Sequence, residues 1–140
     1  MLSRASEIAI AAMGYLAETY PEKGRRLSTA DIARDRHLKK PFVAKVLTTL
    51  SNAGLIIGSP GPGGGYRLAR EPHTISLKSI VKLFDSQERE PACPYGPGYC
   101  GNGNPCPLHD QFISLRDSMQ QFLEQTTLEG FQHRHPVASS

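Results

Sequence analysis

The sequence has no internal repeat, no long low-complexity tract and no apolar run long enough to cross a bilayer. A chain of 140 residues with these absences fits one domain of ordinary size, which argues against a multi-domain enzyme. The N-terminal apolar stretch at residues 8–17 follows Arg4 and Glu7 and carries its larger side chains at helical spacing. We therefore predict a soluble helix there, in a cytoplasmic protein that does not contact a membrane.

Motifs for catalysis are absent as well. No oxyanion-hole motif, Gly-rich phosphate loop or pair of carboxylates accompanies the nucleophilic side chains, so we exclude catalysis and a small-molecule substrate. Cysteine is scarce, because Cys93, Cys100 and Cys106 are the only three. Their odd number and the lack of a secretory-signal pattern argue against a disulfide framework. We expect them to be free, redox-active or metal-bound.

Positive charge is concentrated in one part of the chain. The formal net charge is +3, but residues 23–45 hold eight Lys or Arg against Asp31 and Asp35, a local excess of +6. Residues 91–140 hold two basic and four acidic side chains. A basic block can attract an anionic polymer by counterion release, although a solvated helix face would have the same composition. The secondary structure of the block has to decide between these two interpretations.

Two predicted helices come first in the chain. The first covers residues 3–20, with a serine to cap its start and Pro21 after its end. A capping-box pattern at Ser28 and Asp31 begins a short second helix that ends near Arg36. The candidate caps of the first helix are Ser3 and Ser6.

A third predicted helix follows a tight turn at residues 37–40. It covers residues 41–53, with Pro41 at its first position and Gly54 as its C-terminal cap. A short capped helix, a tight turn and a second amphipathic helix form the helix-turn-helix plan, in which the second helix enters the DNA major groove. The apolar residues of its inner face are Val43, Val46, Leu47 and Leu50.

A β-hairpin is predicted after this helix pair. Residues 55–57 are typical of a strand, residues 58–65 of a Gly/Pro-rich tip and residues 66–68 of the return strand. We therefore predict a mainly α fold with a small β wing, a winged helix-turn-helix that binds double-stranded DNA. The predicted DNA contacts are Ser28, Thr29, Lys39, Lys40, Pro41, Phe42, Lys45, Thr48, Gly63, Gly64 and Tyr66.

Two further helices are predicted in the C-terminal half. The first covers residues 76–85 and turns one apolar face toward the core. The second covers residues 108–130 and repeats apolar side chains at spacings of 4, 3, 4 and 3, which is typical of a coiled-coil seam. The seam could pack against the first helix of its own chain, but we predict a homodimer because DNA-reading modules commonly act as two-fold dimers. The seam residues are Leu108, Phe112, Leu115, Met119 and Phe122.

All three cysteines lie in a segment whose composition excludes regular structure, since nine of its seventeen residues, 91–107, are Gly or Pro. Thiolates bind iron-sulfur clusters and zinc, and either normally takes four protein ligands, one more than the cysteines supply. The paired Cys-x-x-Cys spacing that zinc often uses is absent, which favours a cluster and leaves a Cys-three-His zinc site open. His109, separated from Cys106 by two residues, is a candidate for the fourth ligand.

The wing sequence Gly61-Pro62-Gly63-Gly64-Gly65-Tyr66, the cysteine triad and the long final helix resemble the Rrf2 family of bacterial transcription regulators over about residues 1–130, especially its IscR-like and NsrR-like iron-sulfur branch. The resemblance implies a homodimer whose wing touches the minor groove and whose long helices cross at the interface. It implies that Cys93, Cys100 and Cys106 hold a cluster of the 2Fe-2S or 4Fe-4S type. It also makes Glu7, supplied by the partner subunit, an alternative to His109 as the fourth ligand.

Two positions depart from this family pattern. Relatives often carry a basic residue just before the wing, where this chain has Ser59-Pro60, and a Glu or Gln in the recognition helix, where this chain has Ala44. The operator sequence therefore does not carry over from the family. The signal does not carry over either, because members of the family respond to cluster supply, nitric oxide, redox state or iron.

These patterns predict a winged helix-turn-helix domain at residues 1–85, a cluster-binding loop at 86–107, a dimerisation helix at 108–130 and a disordered tail at 131–140. The expected function is transcriptional regulation, as a repressor whose operator binding is switched by the iron-sulfur cluster. The alternatives are a zinc-stabilised or cluster-free thiol-based redox regulator, and a metal-binding interaction module that does not bind DNA.

Overall fold

The fold, in the computed structural model that describes residues 2–22, 25–85 and 107–132, is mainly helical with one two-stranded antiparallel sheet. This confirms the predicted fold class. In the described part of the chain, no helix combines the length and the hydropathy that a bilayer crossing requires. The elements in chain order are α1 (Arg4–Thr19), α2 (Thr29–Asp35), α3 (Lys40–Asn52), β1 (Ile56–Ser59), β2 (Gly65–Leu68), a 3-10 turn (Pro72–Thr74), α4 (Leu77–Val81), α5 (His109–Gln125) and α6 (Glu129–Gln132).

Helix α1 is the scaffold of the core. Ser3 caps its start, because its hydroxyl oxygen accepts a hydrogen bond from the Ser6 N–H at 3.2 Å. Ile8, Met13 and Leu16 are buried on its inner face, between alanines that allow neighbouring helices to come close. The helix packs mainly against α3 and also contacts α4, β2 and α6. Its predicted limits, residues 3–20, agree with the structure to within one residue at each end.

Helices α2 and α3 form the predicted helix-turn-helix. The capping box is confirmed, because the Ser28 hydroxyl accepts from the Asp31 N–H at 3.0 Å and the Asp31 carboxylate accepts from the Ser28 N–H at 3.1 Å. His37 adopts a φ of 56° in the turn. Helix α3 begins at Lys40, so Pro41 is at its second position and not at its first. The first-turn N–H groups have no acceptor inside a helix, so proline fits at either position.

Helix α3 ends in a Schellman motif. Gly54 has a φ of 80°, its N–H donates to the Ser51 carbonyl at 3.0 Å, and the Leu55 N–H donates to the Leu50 carbonyl at 3.1 Å. Both leucines are buried. Because Leu55 completes this cap, strand β1 begins at Ile56, one residue later than predicted.

The wing is the antiparallel pair β1 and β2, in which Ile56 lies opposite Leu68 and Ser59 opposite Gly65. Both strands reach further toward the tip than predicted, so residues 60–64 form the connection. The pairing shortens the flexible tip and keeps it next to α3.

A third extended residue supports the wing at its base. Leu27 donates to the Tyr66 carbonyl at 3.0 Å and accepts from the Tyr66 N–H at 2.8 Å. Gly65, with a φ of 146°, lies so close to this residue that an added Cβ would be 2.7 Å from the Leu27 carbonyl carbon. Only glycine fits there, and the wing is thereby joined to the segment that leads into α2.

Helix α4 is shorter than the predicted helix at residues 76–85. Ser76 caps its start, but the helix covers only Leu77–Val81, and residues 82–85 continue as turns. After these turns the Asp85 carboxylate bonds to the start of α1, a long-range contact that helical periodicity does not indicate.

The predicted helix at residues 108–130 is wrong in its end, because α5 stops at Gln125, where the chain becomes extended and bonds to the start of α4. The Leu77 N–H donates to the Thr126 carbonyl at 2.9 Å, and the Leu128 N–H donates to the Ile75 carbonyl at 3.0 Å. Leu123 and Leu128 are buried in the core.

Helix α6 returns the chain to α1. The Phe131 ring packs on Gly14, where an added Cβ would be 2.8 Å from a ring carbon. The prediction of a tail from residue 131 is therefore wrong for Phe131 and Gln132, because an aromatic contact with α1 has no local sequence signal. Residues 133–140 lie outside the described residues.

Candidate nucleic-acid interface

The outer face of α3 presents cations and apolar groups above a buried inner face. Val43, Leu47 and Leu50 are fully buried, and Val46 nearly so. Phe42, in contrast, is 55% exposed. Ala44, which departs from the family pattern, is exposed on the same helix. The predicted DNA contacts that are exposed are Lys39, Lys40, Pro41, Phe42, Lys45 and Thr48.

A polar network holds α2 against α1. The Arg36 guanidinium lies 4.4 Å from the centroid of the Tyr15 ring and pairs with the Glu18 carboxylate. The Tyr15 hydroxyl donates to Asp35 at 2.5 Å. Hydrogen bonds from Arg34 and Tyr15 lower the pKa of Asp35 to about 2, so this carboxylate is charged at neutral pH. The network fixes the orientation of α2 beside the recognition helix.

The remaining predicted contacts divide between exposed and structural positions. Gly63 is exposed at the wing tip, but Ser28 and Thr29 are half-buried, and the Ser28 hydroxyl is engaged in the helix cap. An added Cβ at Gly64 would be 2.2 Å from the Ser59 carbonyl oxygen, which explains the glycine without reference to DNA. Tyr66 is half-buried, and its backbone joins the wing to Leu27.

Two basic residues of the wing region were missed by the sequence reasoning. Arg26 donates to the Ser59 hydroxyl at 2.5 Å and so connects the segment before α2 to the wing. Arg67 is exposed on β2 between the half-buried Tyr66 and the buried Leu68. The alternation of side chains along a strand could have identified Arg67, because it points to the opposite face of the sheet from its two neighbours.

Cys93, Cys100 and Cys106 lie outside the described residues, and within the described ranges no group of three or more His, Cys, Asp or Glu side chains forms a metal site. Asp85, eight residues before Cys93, is described. One oxygen of its carboxylate accepts from the Ser3 N–H at 3.1 Å, the Ser3 hydroxyl at 3.1 Å and the Ser6 hydroxyl at 2.5 Å. We call this arrangement the Asp85 latch. It joins the chain that leads into the cysteine segment to the first turn of α1.

The two candidate fourth ligands are on opposite sides of the cysteine segment in sequence. Glu7 follows the buried Ser6 of the latch, is exposed and lies 3.7 Å from Arg4. His109 is the first residue of α5 and is half-buried. The cysteines lie outside the described residues, so both assignments of the fourth ligand stay predictions.

The predicted seam of α5 is largely uncovered in the single chain. Leu108 is 45% exposed, Leu115 55% and Phe122 53%, while Phe112 and Met119 are half-buried. The core takes up Leu123 from another face of the helix. Met119 packs against the core, but Leu108, Leu115 and Phe122 do not, so packing within the described residues leaves most of the seam exposed.

A family described as "Rrf2: Iron-dependent Transcriptional regulator" matches residues 2–134. A helix-turn-helix-type transcriptional regulator of Aquifex aeolicus is 31% identical over 137 residues, which is 93% of each chain. The IscR regulator of Vibrio campbellii is 30% identical over 99 residues, 71% of this chain, and this chain spans 58% of the length of that relative. Among solved structures, CymR of B. subtilis, named a global cysteine regulator, has the same fold, with a TM-score of 0.76, 23% identity and coverage of 97% of this chain and 98% of that chain.

The Asp85 latch predicts a pH dependence of stability. Burial would raise the pKa of Asp85, but hydrogen bonds from Ser6 and Ser3 outweigh it and hold the pKa below its ordinary value. The latch therefore stabilises the fold above the unfolded-state pKa, near 4, and this stabilisation is lost as the pH falls through the lower folded-state pKa. Asp85→Asn should lower the free energy of unfolding at pH 7 by about 1 to 2 kcal/mol.

Urea unfolding of the wild type and Asp85→Asn between pH 3 and 7 measures this effect. The difference between the two proteins should shrink below about pH 4, since the amide does not titrate. Asp117→Asn, at an exposed carboxylate of α5, is the control and should show little pH-dependent difference. A constant difference for Asp85→Asn across the whole range would contradict the prediction.

Proposed function

We propose that this chain, which belongs to the Rrf2 family of transcriptional regulators, is a homodimeric operator-binding repressor switched by an iron-sulfur cluster. Family membership makes it a DNA-binding regulator and not an enzyme; the dimer, the cluster and the repression are the proposed parts. The observation that carries the proposal is the outer face of α3, where Lys39, Lys40 and Lys45 are exposed above a fully packed inner face.

DNA recognition follows from the placement of α3 and the wing. Helix α3 enters the major groove, and its lysines approach the phosphates on either side. The wing, with Gly63 at its tip and Arg67 on β2, contacts the backbone or the adjacent minor groove. A two-fold dimer places two such helices in successive major grooves, about 34 Å apart.

Dimerisation is assigned to the α5 seam. Leucine and phenylalanine side chains at coiled-coil spacing are exposed in the single chain. Their burial against a partner helix would stabilise the complex through the hydrophobic effect. A second copy of α5 offers the same row, so the contact is self-complementary, as a two-fold interface requires.

The sensing group is assigned to Cys93, Cys100 and Cys106, with His109 as the fourth ligand and Glu7 as the competing one. Three thiolates with one imidazole or carboxylate suit iron-sulfur chemistry; His109 follows the segment closely in sequence, and Glu7 follows Ser6 of the Asp85 latch. A bound cluster would supply a group sensitive to oxidants, nitric oxide or iron supply. The chain itself would transmit the state of the segment through the Asp85 latch, because α1 carries the latch at its first turn and packs on α3.

The DNA interface predicts a steep salt dependence that Lys45 helps to set. In Lys45→Gln, the slope of log association constant against log salt should decrease by about 0.9 per lost phosphate contact, or about 1.8 for a dimer. The measurement is a titration of full-length protein on fragments selected in vitro, at several salt concentrations. Lys82→Gln, at an exposed lysine after α4, should keep the wild-type slope. Equal slopes in all three proteins would contradict the assignment of Lys45.

The seam predicts that a charge at Leu115 separates the dimer. Leu115→Asp removes two buried leucines per dimer, at about 1.5 kcal/mol or more each, so the dimer dissociation constant should rise at least about a hundredfold. Gln121→Asp introduces the same charge on another face of α5 and should leave the dimer intact. Sedimentation velocity measures both. Because Leu115 is 55% exposed in the single chain, the monomer should remain folded, and an unchanged dimer would remove the seam from the proposal.

The cysteine segment predicts a cluster with both iron and acid-labile sulfide after anaerobic purification. His109→Ala should shorten the lifetime of the cluster absorbance, while Glu7→Ala should preserve it, because His109 is close to Cys106 in sequence and Glu7 would have to reach from the partner. The opposite pattern would assign the fourth ligand to Glu7. Zinc without sulfide would replace the cluster with a structural metal site, and neither metal nor sulfide would favour a thiol-based regulator.

A further inference from the structure

The recognition helix carries an exposed aromatic ring that its own chain leaves uncovered. Phe42 lies in the first turn of α3 and is 55% exposed, although burial of a phenylalanine is worth about 1.5 to 3 kcal/mol. Within the described part of the winged domain, the other large exposed apolar side chain is Ile57, on β1. Exposed cations are close to Phe42 in the sequence, with Lys39 and Lys40 before it and Lys45 about one turn after it, and they attract a polyanion and not an apolar protein surface.

The same helix has few side chains that can form hydrogen bonds to base edges. Helix α3 contains no Arg, Gln, Asp or Glu, and its single Asn is its last residue, Asn52. The Thr48 hydroxyl donates to the Ala44 carbonyl at 3.0 Å and the Thr49 hydroxyl to the Lys45 carbonyl at 3.4 Å. The hydroxyl protons are thus engaged within the helix. Of the side chains that make bidentate hydrogen bonds to purines, Arg, Gln and Asn are missing from the part of α3 that enters the groove, and Lys is the one that is present.

Apolar groups flank the central cation of this face. At about 100° per residue, Phe42 lies on one side of Lys45, and Ala44 with Thr48 one turn later lies on the other. All four residues are exposed. A groove surface that matches them must offer apolar contact points between phosphates, and the thymine C5-methyl is the apolar group that base pairs present in the major groove.

We propose that α3 reads its operator chiefly through thymine methyl groups, with Phe42 as the main specificity-determining residue and Ala44 and Thr48 as secondary contacts. The inference rests on the proposed DNA binding and adds the chemistry of base selection. The lysines then set position and affinity, and the apolar groups set sequence.

The test removes thymine methyl groups at one position of the half-site at a time. Full-length protein purified anaerobically selects sites from a random duplex pool, and each thymine of the selected half-site is then changed to uracil in both halves. A uracil base pair keeps every hydrogen-bonding group of thymine and lacks only the methyl. Loss of one methyl contact should weaken wild-type binding about three- to fourfold. Each change removes one methyl from each half-site, so binding should weaken about tenfold for at least one thymine position.

The variant Phe42→Ala should bind the thymine site more weakly and lose most of the uracil penalty at that position, which is the coupling expected of a direct contact. Ile57→Ala removes a comparable exposed side chain from the wing and should keep the full penalty. Thermal unfolding checks that both variants fold, as expected at exposed positions.

The outcomes separate this inference from the proposed function. A selected site at which every uracil change leaves binding within about twofold, less than one methyl contact is worth, would overturn the inference alone. A uracil penalty that is the same in Phe42→Ala as in the wild type would also overturn it, because another residue would then read the methyl. A protein that selects no site at all would overturn the proposed DNA binding and the inference together.

Discussion

The packing of α3 against α1 is the constraint on which the rest of this structure depends. Four apolar side chains of α3 are buried, each worth about 1.5 to 3 kcal/mol, and α3 packs most extensively on α1, whose buried face is rich in alanine, and next on α2. The ion pair of Arg36 with Glu18 and the other partly exposed pairs contribute about 0 to 1 kcal/mol each. Apolar packing therefore sets the position of the recognition helix, and the polar network sets the orientation of α2.

Because packed interiors resist small deformations, a shift of α1 has to move α3 with it. Helix α1 also carries the attachments of the C-terminal half. The Asp85 latch bonds to Ser3 and Ser6 at its start, and Phe131 packs on Gly14 at its middle. One helix thus connects the recognition surface to both the segment before the cysteines and the chain after α5. A signal that acts on either attachment reaches DNA recognition without touching the DNA.

The elements that were predicted correctly are those with local causes. The capping box at Ser28, the period of the α3 apolar residues and the cap at Gly54 are all written within a few adjacent positions. The features that were missed depend on pairs distant in sequence. The Asp85 carboxylate bonds to Ser6 just after α4, and Phe131 of α6 packs on Gly14, and neither contact has a local signal in the sequence.

The candidate site divides in the same way. Exposure of Lys45 and Phe42 follows directly from the helical period, so the exposed face of α3 was predictable from the sequence, and its contact with DNA stays a prediction. The backbone pairing of Tyr66 with Leu27 was not predictable from the sequence, because it depends on the approach of Leu27 to the wing. The cysteine ligands stay a prediction, because they lie outside the described residues.

In the part of the chain that the structure describes, two apolar surfaces lack a cover, and the charges beside them support the two different partners proposed for them. Phe42 lies on a helix with the exposed Lys40 and Lys45 and follows the exposed Lys39, so this basic region attracts a polyanion and repels a second copy of itself. The α5 seam lies on a helix with three acidic residues and a single basic one, Arg116, so DNA is repelled there. Apolar contact alone would not distinguish duplex DNA from a second subunit. The flanking charge makes that choice, since it governs the encounter before the apolar groups meet.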